Sequence, residues 1–196
     1  MTVTRPRAGG WRTALVTGAS SGIGAAYARR LAAEGCDVTL VARREPELTI
    51  LAADLGQRFK VQAHVVVADL ATPEGVDLAI NRLADVPVDW LVNNAGFGAP
   101  GVFDQVPLQR SLAMIQLHLL ATTRLSHAVL PGMIGRGRGR IVNVSSIGAF
   151  LPRPGDATYC ATKAYLVTFS RALHGELAGT GEQVQALCPG FTRTNF

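Results

Sequence analysis

Tyr159 and Lys163 stand four residues apart in the run Tyr159-Cys160-Ala161-Thr162-Lys163, a spacing that puts both side chains on one face of an α-helix. A phenol with the ordinary pKa near ~10 is a poor proton shuttle at neutral pH. An adjacent ammonium favours the ionised phenol and suits the pair to general acid and base work. Such pairs also arise by chance on surface helices. Two features set this one apart: Lys163 is one of only two lysines, the other being Lys60, and Ser146 closes an apolar run upstream of the tyrosine. With no histidine placed as its base, the Ser146 hydroxyl is a poor nucleophile and better suited to hydrogen-bonding a substrate carbonyl. No GxSxG elbow occurs, which argues against a hydrolase. The plainer reading of Ser146 is a turn residue at a strand end.

A second constellation lies near the start of the chain, where an apolar run leads into Thr17-Gly18-Ala19-Ser20-Ser21-Gly22-Ile23-Gly24. A glycine-rich turn opening a helix can cradle a pyrophosphate, because glycine permits close backbone approach and the helix N-terminus offers unpaired amides. The glycines follow GxxxGxG and not the GxGxxG of the common dinucleotide fingerprint, and Gly and Ser are also ordinary turn residues. The next apolar run ends in Arg43-Arg44, with no carboxylate until Glu45. An acidic residue there would take a ribose 2′-hydroxyl, whereas a guanidinium grips a 2′-phosphate. NADP is therefore expected over NAD, the alternative being two exposed arginines at a strand end.

These groups need a scaffold, and the rest of the chain supplies one. Apolar runs at 12–17, 37–43, 61–67, 88–93, 140–145 and 183–188 read as strands, separated by helical stretches at 22–34, 45–57, 74–84, 107–134 and 157–178. Continuous apolar strands alternating with helices imply a parallel sheet covered on both faces. Right-handed crossovers make it an α/β Rossmann-like, doubly wound fold. Residues 1–10 read as a disordered leader and 11–196 as one dinucleotide-binding domain.

Composition narrows the class. The 196 residues are 48% hydrophobic and 17% charged, enough to build a core and too apolar for an intrinsically disordered chain. Long stretches free of Asp, Glu, Lys and Arg, among them 13–28, 90–103 and 111–123, all fall short of the ~20 residues of a membrane helix. No membrane partner is expected, and with no signal peptide at the start the expected compartment is the cytoplasm. Seventeen arginines stand against two lysines in a net charge of +5, a skew that fits a GC-rich, bacterial genome. Arg136, Arg138 and Arg140 form the one candidate nucleic-acid patch. No aromatics interleave with them, so a solvated loop is expected and no nucleic-acid partner. Cys36, Cys160 and Cys188 are too scattered for a disulfide framework or a metal site and read as small core residues.

As a set, these residues resemble the short-chain dehydrogenase/reductase family: TGASSGIG at 17–24, NNAG at 93–96, Ser146 thirteen residues before Tyr159, YxxxK at 159–163 and PGFTRT at 189–194. The resemblance implies a nicotinamide-dependent oxidoreductase acting on a small-molecule carbonyl or alcohol. It implies that Gly18, Ser20, Ser21, Gly22, Ile23 and Gly24 bind the phosphates and adenosine ribose. Asp69 and Leu70 would contact adenine, while Asn93, Ala95 and Gly96 would line the adenosine side and brace the central strand. Ser146 would orient the carbonyl, Tyr159 would be the general acid/base, and Lys163 would hold the nicotinamide ribose. Pro189, Gly190, Thr192 and Thr194 would contact the nicotinamide end. The long helices 107–134 and 157–178 would pair two subunits, as in relatives.

Two departures qualify the resemblance. Relatives place an asparagine on the long helix, where it helps a proton relay; here His118 occupies the matching position. A histidine there either holds a water or relays a proton, or is a core histidine satisfied by a backbone carbonyl. The sequence also stops at Phe196, where related chains continue with substrate-covering helices and a seventh, edge strand. Six strands are therefore expected, with a sixth-strand edge and an apolar face left uncovered. A truncated product, part of a longer protein and a minimal form all fit this ending. The rival from another class is a catalytically impaired NADP-binding remnant or sensor.

Overall fold

The computed structural model describes residues 10–190 and Thr192. Thr194, expected at the nicotinamide end, lies outside the described residues, as does all of the expected leader except Gly10.

Six strands form one sheet: β1 (Thr13–Thr17), β2 (Asp37–Ala42), β3 (Ala63–Val67), β4 (Trp90–Asn93), β5 (Gly139–Val144) and β6 (Glu182–Leu187). Their spatial order is β3-β2-β1-β4-β5-β6, and every pairing is parallel. The order reverses between β1 and β4, so a crevice opens at the carboxyl ends of those two strands, where such folds bind ligands.

The strands are apolar throughout because each face has its own cover. On one face, Val16, Val38, Leu40, Val92 and Val142 pack beneath α1 (Gly22–Ala33) and α2 (Glu45–Phe59). On the other, Leu15, Val41, Leu91, Ile141 and Val184 pack beneath α3 (Pro73–Asp85), α5 (Thr122–Arg136) and the end of α6 (Ala157–Glu176). Helix ends follow local chemistry. Thr72 caps α3 by accepting from the Gly75 amide at 3.1 Å, and left-handed Gly137 ends α5.

The long helix expected over 107–134 is helical throughout but not uniformly α. An α-helical stretch α4 (Leu108–Ile115) runs into a π-helical turn at Gln116–Ala121, and only then into α5. A π-turn inserts an extra residue, and such turns gather at functional sites; His118 sits inside this one.

The Arg136–Arg140 segment is only in part the solvated loop expected: it runs from the exposed end of α5 into the start of β5, and its arginines are held by partners. Asp89, 2% exposed, accepts from the Arg12 amide at 2.8 Å and holds the Nε atoms of Arg136 and Arg138, each at 3.6 Å. Arg140 lies over the rings of both Trp11 and Trp90, 5.4 and 5.1 Å from their centroids. All three guanidinium groups thus have partners in the fold, although Arg136 and Arg138 stay partly solvated. Among the described residues β6 lies at the edge of the sheet. On its face toward α1 and α2, Gln183 and Gln185 are exposed and polar, while Leu187 is half-buried against the core of that face.

Candidate active site

Thr17 and Gly18 leave β1 directly beside the segment that follows β4. The Thr17 hydroxyl accepts from the Asn94 and Ala95 amides at 2.9 and 3.0 Å, and the Asn94 side-chain amide donates to the Thr17 and Gly18 carbonyls. Gly18 has φ +63°, and a Cβ there would stand 2.7 Å from Asn94 Nδ2 and 2.9 Å from the Ala95 Cα. A Cβ on Gly24 would collide with the Gly18 carbonyl. The two glycines are therefore what lets the first turn and the β4 loop close on each other.

The turn then offers α1 to a ligand. Ser21 is the N-cap, yet its side chain makes no capping hydrogen bond. It accepts instead from Arg44 Nη2 at 2.8 Å, and Ser20 Oγ accepts from the same guanidinium at 2.9 and 3.2 Å. The helix therefore presents uncapped amides next to a fixed cation, a donor set suited to phosphate oxygens. Arg43 is 3.8 Å from Asp69 Oδ2, and Glu47 is 3.4 Å from Arg44. Leu70 is 4% exposed and packed in the core, while Asp69 is half-buried.

Asn93 does not line this crevice. It is 5% exposed and faces inward, donating to Asn143 Oδ1 at 2.9 Å and Ser126 Oγ at 3.3 Å. Side chains alternate along a strand, so the crevice side falls to Asn94, which carries the contacts to the glycine-rich turn. Asn143 passes the inward network on to Ser170 of α6 at 2.9 Å.

At the carboxyl end of β5 two adjacent serines diverge. Ser145 is buried and donates to the Lys163 carbonyl at 2.7 Å. Ser146 is half-buried, and its oxygen accepts from the Gly148 amide at 3.1 Å. A Cβ on Gly148 would lie 3.5 Å from both Ser146 Oγ and Tyr159 Cε1, so the hydroxyl and the phenol ring flank one glycine. Lys163 Nζ lies 5.7 Å from the Tyr159 ring centroid and donates to the Val144 carbonyl at 2.9 Å. Burial pushes this ammonium down to about 8, with Cys188 acting in the opposite sense. Cys188 is thus half-buried beside the site, whereas Cys36 and Cys160 are buried, so only two of the three cysteines are core residues.

His118 is 1% exposed and closes the group from the π-turn. A Cβ on Gly96 would meet His118 Nε2 at 2.8 Å and Lys163 Nζ at 3.5 Å, so imidazole, ammonium and the loop after β4 converge. Its Nε2 faces the Phe97 amide at 3.3 Å, and its Nδ1 lies 2.8 Å from Thr162 Oγ1. Desolvation, reinforced by the Lys163 charge, pushes the imidazole down to about 2. It is a satisfied core histidine, although its backbone partner is an amide and not the carbonyl expected. Pro189 and Gly190 lie beside the same strand end, with the Ile147 amide donating to the Pro189 carbonyl at 3.1 Å; Thr192 is exposed.

Sequence reasoning missed Thr17, Asn94, Ser145 and Thr162, each bonded to the residues described above. Thr17 and Asn94 carried a signal, as parts of the TGASSGIG and NNAG runs. Among the described residues no group of three or more His, Cys, Asp or Glu gathers as metal ligands, and no helix is long and apolar enough to cross a membrane.

A family model for short chain dehydrogenases matches residues 12–196. The human inactive hydroxysteroid dehydrogenase-like protein 1 is 39% identical over 188 residues, which cover 94% of this chain and 57% of that protein. The chain thus spans little more than half the length of this curated relative. Two solved structures superpose closely. A short-chain dehydrogenase from Sphingobium yanoikuyae in complex with NADPH gives a TM-score of 0.90 at 41% identity, covering 93% of this chain and 72% of that one. The bulky-bulky ketone specific alcohol dehydrogenase from Comamonas testosteroni gives 0.89 at 40%, covering 93% and 74%.

Proposed function

The chain belongs to the short-chain dehydrogenase family, and from that premise we propose that it is an NADP-dependent oxidoreductase interconverting a small carbonyl compound and its alcohol. The observation that carries this reading is the convergence of Ser146, Tyr159 and Lys163 at the carboxyl end of β5.

The residues present fit a nicotinamide dinucleotide. The glycine-rich turn and uncapped α1 would receive its phosphates, and Arg44, held by Ser20 and Ser21, would receive the 2′-phosphate. Asp69 would serve the adenine end, and Lys163, with Pro189, Gly190, Thr192 and Thr194, the nicotinamide end. When bound, the dinucleotide supplies or accepts the hydride. Ser146 donates to the carbonyl oxygen and fixes its direction. Tyr159 gives its proton to that oxygen in reduction and recovers it in oxidation. The Lys163 charge near the ring stabilises the negative oxygen that the phenol leaves behind. Buried Ser145 and Val144 keep α6 in register with β5, so the two hydroxyls stay on one side of the substrate.

The preference for NADP is supported by Arg44 and by the NADPH held in the Sphingobium relative. Pairing with a second copy through 107–134 and 157–178 is supported by Leu112 and Leu120, which are about half exposed at 52% and 50%. One relative is named inactive, which keeps a non-catalytic NADP-binding reading in play; the Ser146, Tyr159 and Lys163 convergence favours the enzyme.

A calorimetric titration with NADPH and NADH, followed by carbonyl-dependent NADPH oxidation by wild type and Tyr159→Phe, tests the proposal. Preferred NADPH binding, with turnover lost in Tyr159→Phe and binding retained, is the expected result. Undiminished turnover in that variant sinks the assignment. Binding with no turnover on a broad carbonyl panel selects the non-catalytic reading.

A further inference from the structure

His118 looks at first like a proton carrier, being an imidazole within one residue layer of the Tyr159 ring, their centroids 6.1 Å apart. Its hydrogen bonds say otherwise. The Phe97 amide carries only a donor, so Nε2, 3.3 Å away, must offer its lone pair. The ring proton therefore sits on Nδ1 and is donated to Thr162 Oγ1 at 2.8 Å. Thr162 has one proton to give, and gives it to the Tyr159 main-chain carbonyl at 2.8 Å. The Nε2–H tautomer would set donor against donor at Phe97, and the imidazolium would do the same beside the Lys163 ammonium.

The chain of bonds thus runs Phe97 amide, His118, Thr162, Tyr159 carbonyl. It stops on the backbone of the tyrosine and never reaches its phenol. The two ends belong to different elements: Phe97 lies on the loop after β4, and Tyr159 is in the first turn of α6. The groups facing the ring are the Phe97 ring from that loop, at 6.2 Å and 55°, and Tyr159 and Lys163 from α6. No carboxylate is among its hydrogen-bond or ion-pair partners in the described residues.

We infer that His118 is a positioning residue, an uncharged strut that ties the loop after β4 to the Tyr159 turn of α6 and carries no proton in turnover. Only the last clause rests on the oxidoreductase reading. Loss of the strut would let the loop after β4 move against the phenol, a fault of alignment and not of proton supply.

The experiment is long-range proton–nitrogen NMR on the full chain labelled with ¹⁵N-histidine, from pH 5 to 9, the His118 signals being those lost in His118→Asn. If that variant does not fold, Phe97 ring contacts to the imidazole protons assign the same signals. The expected result is one neutral Nδ1–H ring throughout. An Nε2–H tautomer, or a titration inside that range, overturns the inference.

Kinetics supply the second arm. Asn keeps a donor for Thr162, Gln keeps an acceptor for Phe97, and Leu keeps neither. Each single lost hydrogen bond is worth up to about tenfold, so Asn and Gln should lie within about tenfold of wild-type kcat, with Leu well below both and the pH profile unmoved in all three. Equal losses in all three with a shifted acid limb mean a relay, and the strut is wrong. A wild type with no turnover strikes the oxidoreductase reading alone and leaves the NMR to decide the strut.

Discussion

Ser145 and Lys163 are joined by a buried hydrogen bond of 2.7 Å from the serine hydroxyl to the lysine main-chain carbonyl, while the lysine ammonium reaches back to the Val144 carbonyl at 2.9 Å. β5 and α6 are thereby stitched twice, once in each direction, directly beneath the phenol. Ser146, the next residue, turns the other way and lies beside the Tyr159 ring. Adjacent serines in one strand end thus divide the work between holding the scaffold and facing the crevice.

That division is measurable. Ser145→Ala removes one buried hydrogen bond and should cost about 1 kcal/mol of stability, with kcat falling only as far as α6 shifts. Ser146→Ala should leave the urea midpoint close to wild type while kcat falls by about tenfold or more, as a lost transition-state hydrogen bond requires. Paired denaturation and kinetic measurements on the two variants check this. A Ser146→Ala protein that is unstable and fully active would reverse the assignment.

Arg44 offers a second test. Its guanidinium bridges both serines of the glycine-rich turn and stands 3.4 Å from Glu47. Charge-assisted hydrogen bonds contribute about 1.5–3 kcal/mol, so Arg44→Ala should weaken NADPH binding roughly 10- to 100-fold. NADH binding, which has no 2′-phosphate to lose, should change little. Calorimetric titration of both coenzymes reads the ratio directly; equal losses for the two would mean that Arg44 supports the loop and not the phosphate.

The six strands and their order of appearance were readable because a sheet covered on both faces needs unbroken apolar runs, and these stand out between polar helical stretches. The glycine-rich turn was readable because positive φ and backbone contact demand glycine at Gly18. The π-turn was not, since the hydrophobic pattern through 107–134 is the same whether or not one residue is squeezed into the ladder. Thr162 was hidden for a related reason: its partner His118 is 44 residues away, and a small polar side chain between Tyr159 and Lys163 looks like filler. Asn93 and Asn94 were confused because a run of two asparagines does not say which one faces the crevice. The partners of the Arg136–Arg140 segment were not readable because Asp89, which holds Arg136 and Arg138, sits 47 or more residues away inside the run 88–93 that reads as a strand.

Asp89 therefore carries a prediction of its own. It is a buried carboxylate holding Arg136, Arg138 and the Arg12 amide. The two arginines are partly solvated, so breaking the cluster should cost less than the loss of a fully buried pair. Asp89→Asn should lower stability by about 2 kcal/mol, or a melting temperature drop of roughly 4–8 °C for a chain of this size. The site at the opposite end of the strands should keep its coenzyme affinity. Calorimetric melting and NADPH titration of the same variant separate the two effects, and an unshifted melting temperature would show that the cluster is a surface ornament.

Lys163 makes stability depend on pH with an unusual sign. Burial lowers its ammonium to about 8 from an ordinary 10.5, so the folded chain sheds the proton before the unfolded chain does. Below pH 8 both states hold it and this residue adds no slope. Between 8 and 10.5 the unfolded state binds more protons, and stability rises with pH by at most ~1.4 kcal/mol per unit. Above 10.5 both states are neutral and the slope vanishes again. Urea denaturation of wild type and Lys163→Met at pH 7.5, 8.5 and 9.5 isolates the residue, because the remaining titrations are shared. The stability of the wild type relative to the variant should climb across that series. A difference that stays flat would mean the ammonium is solvated in the free protein, and that the site holds its charge without the desolvation now imposed on it by the fold.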